Sequence, residues 1–358
     1  MEEIIAPVDV NLIKSELTQN KKLGNTNKAN NELYIITSHD SPNTMREIGR
    51  LREISYREAG ASSGKSMDID EYDTMEHPYS QLIVWDPQAN KIIGGYRFIL
   101  GKDIQLKADG QPRITSSHLY HFSDDFINNY LPHVMELGRS FVTPEYQSSR
   151  VGAKSIFTMD NLWDGIMYVI LQHPNIMYLF GKMTIYPSYN KAARNLIIHF
   201  LNKHFHDNDK LIRPYNEIEI FDNPEIMNLI LSEEDQKADY RLLKKAILQL
   251  GTFIPPLINS YINTASNMRM LGSCINDELG DAIETGIMIG INDIYGDKKE
   301  RHTDAFIKNK IEDIKSRFPL IGQSLEITLQ KHLERKRMRS FRNFQRKISG
   351  ERSPMDFI

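Results

Sequence analysis

Cysteine is nearly missing from this chain: Cys274 is the single one in 358 residues. No intramolecular disulfide is possible, and no Cys/His spacing reads as a zinc site. A fold without covalent staples fits a reducing cytoplasm, the expected location. Long apolar runs are missing too, none approaching the ~18 residues of a membrane span. The opening MEEIIAPVDV is acidic and short of apolar residues, unlike a secretory signal. Tryptophan occurs twice, but 15 Phe, 16 Tyr and 15 Met supply material for a sizeable core. No GxGxxG follows a strand, so a doubly wound nucleotide-binding fold is not expected. Secreted, disulfide-framed and integral-membrane classes are excluded together.

Charge is present but unevenly placed. The formal net charge is −3, yet the stretch from Lys331 to Lys347 holds eight basic residues against Glu334 alone. Eight cations less one anion leave that stretch at +7 and the remainder at −10. Leu333, Met338, Phe341, Phe344 and Ile348 recur at roughly helical spacing, which makes 331–348 a basic amphipathic helix. Such a helix can lie on an anionic membrane, each Lys or Arg contributing about 1 kcal/mol near the surface. A solvated tail, or a tail that meets an acidic protein, fits the same residues. Nucleic acid is not an expected partner, because no reading motif precedes this short block.

Residues 1–40 are polar and Asn-rich, and read as a loosely ordered arm. In Thr44–Gly60, Met45, Ile48, Leu51 and Ile54 recur at threes, with Asn43 as a possible N-cap and Gly60 as a stop, which predicts a helix. QLIVWD and IIGGYRFIL flank a turn at Pro87–Asn90 and predict a hairpin. VMELGRSFV is a further strand, Ala153–Leu171 a helix buried on a wide face, NIMYLFGKMTI a strand and SYNKAARNLIIHFLNKHF a helix. Beyond Asn216 come a helix near Tyr240–Leu250, the segment FIPPLINSYI and a strand at ETGIMIGINDI. The expected architecture is a mixed, mostly antiparallel α/β sheet flanked by helices. A C-terminal α/β extension and a basic helical tail follow it. The expected division is an arm over 1–40, a core over 41–215, a C-terminal half over 216–330 and the tail over 331–358.

ELGRSFVTPEYQSS, from Glu136 to Ser149, resembles the signature strand of the acyl-carrier-protein-dependent N-acyltransferases that make ornithine and glycine lipids. Those enzymes are relatives of the acyl-homoserine-lactone synthases and share a GNAT-like fold. The Arg52 helix, the DIDEYD loop, IIGGYRF with Arg97, and the stretch from FIPPLINSYI to GINDI agree in order. The resemblance covers about residues 33–300, and the DIDEYDTMEHPY wording is most similar to glycine-lipid synthases. It implies transfer of a 3-hydroxyacyl group from acyl carrier protein to the α-amino group of glycine, or of ornithine. Direct attack of an amine on a thioester needs no metal and no cofactor beyond the donor's own phosphopantetheine. The alternatives are an acyl-homoserine-lactone-type synthase and a non-catalytic acyl-carrier or membrane-binding module.

Amide formation needs a route for the amine's proton and donors for the tetrahedral oxyanion. Strand period places Glu136, Gly138 and Ser140 on one face of the sheet and Leu137, Arg139 and Phe141 on the other. The resemblance makes Glu136 the base, with Arg139 beside it; a structural ion pair of the two is the other reading. It also matches Asp70 and Asp73 to paired acids beside an Arg, here Arg97 or Arg52. Acids could hold an ammonium and an Arg could clamp a carboxylate bidentately. Gln147-Ser-Ser-Arg150-Val-Gly152 departs from the coenzyme A pyrophosphate loop, since Arg150 stands where a glycine is usual. With Lys154 it still suits the single phosphate of a carrier protein. Tyr186 and Tyr189 are candidate proton donors to the leaving thiolate. The HxxxxD match at His204–Asp209 lacks its companion motif, so those histidines read as surface or helix-end residues. Cys274 reads as a buried small hydrophobe.

Overall fold

Asp86 closes the predicted hairpin. Its carboxylate accepts from the Gln88 and Ala89 amides at 2.9 and 3.0 Å, and Asn90 takes a left-handed conformation with φ of 53°. The computed structural model describes residues 1–60, 62–147, 157–218 and 223–331. Its strands are β1 (Lys22–Asn25), β2 (Glu32–Ile36), β3 (Ser80–Asp86), β4 (Lys91–Leu100), β5 (Tyr120–Phe122), β6 (Val134–Val142), β7 (Tyr178–Ile185), β8 (Ile212–Pro214), β9 (Arg269–Asn276) and β10 (Ala282–Gly290). Eight of them form one sheet in the order β1-β2-β3-β4-β6-β7-β10-β9, while β5 pairs with β8. In the large sheet only β6 and β7 run parallel. The mixed, mostly antiparallel sheet expected from the sequence is what forms.

The helices are α1 (Val10–Glu16), α2 (Pro42–Ala59), α3 (Glu71–Thr74), α4 (Thr158–Gln172), α5 (Lys191–Phe205), α6 (Pro224–Ile230), α7 (Gln236–Gln249), α8 (Pro256–Ile262) and α9 (Gly296–Arg317). On one face of the sheet, Met45, Ile48 and Leu51 of α2 pack with Ile83 and Trp85 of β3. On the other lies α4, whose Gly165 comes so close to Leu82 that an added Cβ would sit 2.7 Å from its methyl. Met1–His302 forms one unit and Thr303 begins a second. Thus β9 and β10, from beyond residue 216, complete the same sheet as the core strands. The described part of the second unit is helical, with Lys315 Nζ 2.6 Å from Glu326 Oε2. The basic tail beyond Lys331 lies outside the described residues.

Residues 1–40 correct the reading of a loose arm. They provide α1, β1 and β2, and Leu33, Tyr34 and Ile36 are buried. The N-terminus of α2 explains part of this order. Its N-cap, Ser41, makes no side-chain cap. Glu16 instead accepts from the Asn43 and Thr44 amides at 3.0 and 2.7 Å, filling orphan donors from a remote segment. Burial would raise the Glu16 carboxyl, but those bonds outweigh it and lower it. Leu33→Ala is expected to cost about 2–3 kcal/mol in urea unfolding, the lower part of the core range because β2 lies one strand from the sheet edge. A loose arm would leave the midpoint where it is.

β6 departs from simple alternation. Gly138 pairs with Arg97 of β4 and Phe141 with Gly95, so Arg139 and Ser140 together face Tyr96. This is a bulge, and Arg139 adopts φ of 46°, strained for a residue with a Cβ. The bulge turns Arg139 onto the face of Arg97. Phe141 also joins the α2 cluster on that face. Ser140 is displaced to the Tyr96 side, opposite Glu136. The expected sharing of one face by Glu136 and Ser140 is therefore wrong, because period two holds only in an unbroken ladder.

Candidate active site

β6 and β7 pair only through Val134–Tyr178, Met135–Leu179 and Glu136–Phe180, although they run on to Val142 and Ile185. A cavity of about 490 Å³ opens beside their unpaired lengths, lined by Leu137–Val142 and by Lys182, Thr184 and Tyr186. That volume lies in the range of small-molecule sites. Arg97, Thr115 and Glu284 line its polar part, and Tyr96, Leu162 and Leu257 an apolar part. Arg97 and Tyr96 are successive residues of β4 and point to opposite faces. The cavity therefore opens to both sides of the sheet, with Arg97 on one and Tyr96 on the other.

Glu136 is adjacent to this cavity without lining it. It is 1% exposed, and three hydroxyls surround it. Tyr79 Oη donates to Oε2; Ser116 Oγ and Thr115 Oγ1 donate to Oε1 at 2.6 and 3.3 Å. Thr115 does line the cavity and so lies between it and the carboxylate. Burial first, and the Glu136 charge second, push the Tyr79 phenol well above its ordinary value. Tyr79 remains a proton donor here. Glu136 and Arg139 form no ion pair in the described contacts; the partners of Arg139 are elsewhere.

Asp70 and Asp73 have their spacing for a local reason. Asp70 is the N-cap of α3 and accepts from the Tyr72 and Asp73 amides, while Asp73 accepts from the Asp70 amide: a capping box. Three arginines converge on this turn. Arg52 Nη1 lies 3.2 Å from Asp73 Oδ2. Arg97 Nη1 lies 2.7 Å from Asp70 and 3.2 Å from Asp73. Arg139 reaches Asp68 at 3.1 Å and Asp70 at 3.4 Å. Three cations thus balance three anions. Asp70, Arg97, Arg139 and Ser140 line the cavity, but Arg52 and Asp73 do not; both are 0% exposed.

Burial would raise the Asp73 carboxyl, but Arg52 and Arg97 outweigh it and hold it at about 2. The ordinary value is 3.8, so the folded state gains stability above that pH, worth about 2 kcal/mol. The gain is expected to disappear as pH falls from about 4 to about 2. Thermal melts across that window should show it, and Asp73→Asn should flatten the pH dependence there.

Sequence reasoning missed a second charged pair. Lys182 Nζ lies 2.6 Å from Glu284 Oε2, Thr184 Oγ1 donates to Glu284 Oε1 at 3.4 Å, and all three line the cavity. Only the pairing of β7 with β10 joins residues so distant in sequence. Of the tyrosines, Tyr186 lines the same cavity, whereas Tyr189 donates to the Phe253 carbonyl. Arg150, Gly152 and Lys154 lie outside the described residues. His204 is a helix-end residue of α5, as expected, but not a surface one: its side chain is buried, with Nε2 2.7 Å from Asp239 of α7.

A parallel pair of strands that splays over a two-sided cavity gives an acyl donor and an acceptor room to meet, as an acyltransferase requires. The GNAT acetyltransferase domain family matches residues 51–155. Two curated proteins, each named glycine N(alpha)-acyltransferase, are 50% identical over 315 residues, or 88% of this chain. One, from Phocaeicola vulgatus, is covered to 97% of its length; the other, from Bacteroides thetaiotaomicron, to 94%. The chain belongs to the glycine N(alpha)-acyltransferase family. Among solved structures, a CoA-dependent acyl-homoserine lactone synthase, BjaI, aligns over 76% of this chain and 88% of its own. It is 12% identical, with a TM-score of 0.34. Among the described residues no helix is long and apolar enough to cross a membrane.

Proposed function

We infer that this enzyme moves a long-chain 3-hydroxyacyl group from acyl carrier protein to the α-amino group of glycine, making an N-acylglycine for aminolipid synthesis. The observation that carries the reading is the cavity's mixed lining, with the ion-paired Arg97, Arg139 and Lys182 beside an apolar part at Leu162 and Leu257. A small polar acceptor and a fatty thioester need such a pair of environments, and the names of the two relatives supply glycine. In this reading the amine nitrogen attacks the thioester carbon. The C–N bond forms, the C–S bond breaks, and the thiolate leaves. Glu136 receives the amine's proton through the Thr115 hydroxyl, and Tyr186 returns one to the thiolate. A bulge leaves one residue out of the ladder, and its backbone N–H is the donor assigned to the tetrahedral oxyanion. No metal or cofactor has a part.

Carrier protein is the proposed donor because Arg150 and Lys154 suit one phosphate. The basic segment 331–348 is the proposed contact with an anionic membrane, on the cytoplasmic side. The test is mass spectrometry of products from purified enzyme, 3-hydroxyacyl carrier protein and isotopically labelled amino acids. Labelled N-acylglycine is expected. A product carrying only ornithine label would overturn the acceptor, and equal turnover with acyl-coenzyme A would overturn the donor.

A further inference from the structure

The cavity's permanent cations, among the described residues, are Arg97, Arg139 and Lys182. Arg97 and Arg139 each meet two carboxylates of the Asp68–Asp70–Asp73 group. That group balances three arginines with three aspartates, and both lining arginines are shared between two of its carboxylates. Lys182 differs. Its acidic partner among the described residues is Glu284 alone, while an ammonium carries three donors. Directly across from it in the β7–β10 register stands Gly286, with the Tyr120 ring and Leu271 packed over the glycine. The ammonium reaches diagonally to Glu284, with the two side chains 16% and 6% exposed.

We propose that Lys182 and Glu284 hold the zwitterion of the acceptor amino acid, Lys182 taking its carboxylate and Glu284 facing its ammonium. The assignment rests on the acceptor being an amino acid. A neutral pair that admits a neutral zwitterion becomes an alternating quartet of charges, and no unpaired charge is left in the cavity. Binding at Asp70 and Arg97 would instead have to draw away cations that are each shared between two carboxylates. The pair stands on the same cavity wall as Thr184 and Tyr186, which brings the acceptor beside the splayed end of β6 and β7.

The experiment compares glycine with glycinamide, which keeps the amine and lacks the carboxylate. The donor is 3-hydroxyacyl carrier protein, and kcat/KM is measured for wild type, Lys182→Arg and the Lys182→Met/Glu284→Gln double variant. The double variant removes both charges and leaves no buried ion alone. Wild type is expected to favour glycine by about 10²-fold. In the double variant that preference collapses toward unity through a raised KM for glycine, with the donor KM unchanged. Lys182→Arg keeps the cation but moves it, and raises the glycine KM without changing that of glycinamide; it is the deciding variant if the double one does not fold. Preserved discrimination, or a raised donor KM in place of the glycine KM, overturns the assignment. A wild-type enzyme that acylates no amino acid overturns the proposed function instead.

Discussion

Glu136→Gln is expected to lower kcat for amide formation by about 10²- to 10⁴-fold, the usual worth of a positioned general base. Acyl-donor affinity should stay unchanged. The swap is isosteric, and the hydroxyls of Tyr79, Ser116 and Thr115 that now donate to the carboxylate can turn to suit an amide. The fold should therefore persist, and the loss should fall on chemistry. Because Glu136 meets the cavity through Thr115, Thr115→Val should cut kcat in the same direction. The double variant should be little worse than Glu136→Gln alone, since two members of one proton route are not additive. Steady-state kinetics and a separate donor-binding titration decide it. Full turnover in Glu136→Gln would remove this residue from the reaction and favour a non-catalytic carrier-binding module.

What the sequence displayed, and what it hid, follows from the range of the forces involved. α2, the β3–β4 hairpin, β7 and α5 are legible because period and turn chemistry are local. Gly60 ends α2 in the left-handed conformation expected of it, with φ of 91°. β1 was hidden by polar composition, while β2 shows the short apolar run Leu33–Ile36 inside an otherwise polar stretch; their order depends on β3 as a partner and on Glu16 capping α2. The bulge was hidden because nothing in ELGRSFV marks Arg139 as left-handed. Asp68 and Asp70, brought from another loop, hold it there. The DIDEYD spacing was visible but ambiguous, since an acid at each end of a three-residue step serves a capping box as readily as a ligand. Lys182 and Glu284 carried no signal, because each is an ordinary charge in an apolar strand until the sheet pairs them.

The Arg52–Asp73 pair is expected to matter for stability and not for acceptor binding. Arg52→Met should destabilise the protein by about 3–5 kcal/mol, the cost of taking one cation from a buried, charge-balanced group. Asp73 would keep Arg97 and the Gln81 amide, but Arg52 is the partner contributed by α2, and with it goes a tie between that helix and α3. The exposed pair of Lys91 and Glu145, 2.6 Å apart with side chains 52% and 66% exposed, is the control: Lys91→Met should change stability by about 0–1 kcal/mol. Urea unfolding followed by circular dichroism reads both. Neither Arg52 nor Asp73 lines the cavity, so the glycine KM of folded Arg52→Met should match that of wild type. An unshifted unfolding midpoint together with a raised glycine KM would instead make Arg52 a ligand of the acceptor. The balanced three-arginine, three-aspartate group would then be a substrate site rather than the scaffold that fixes the bulge.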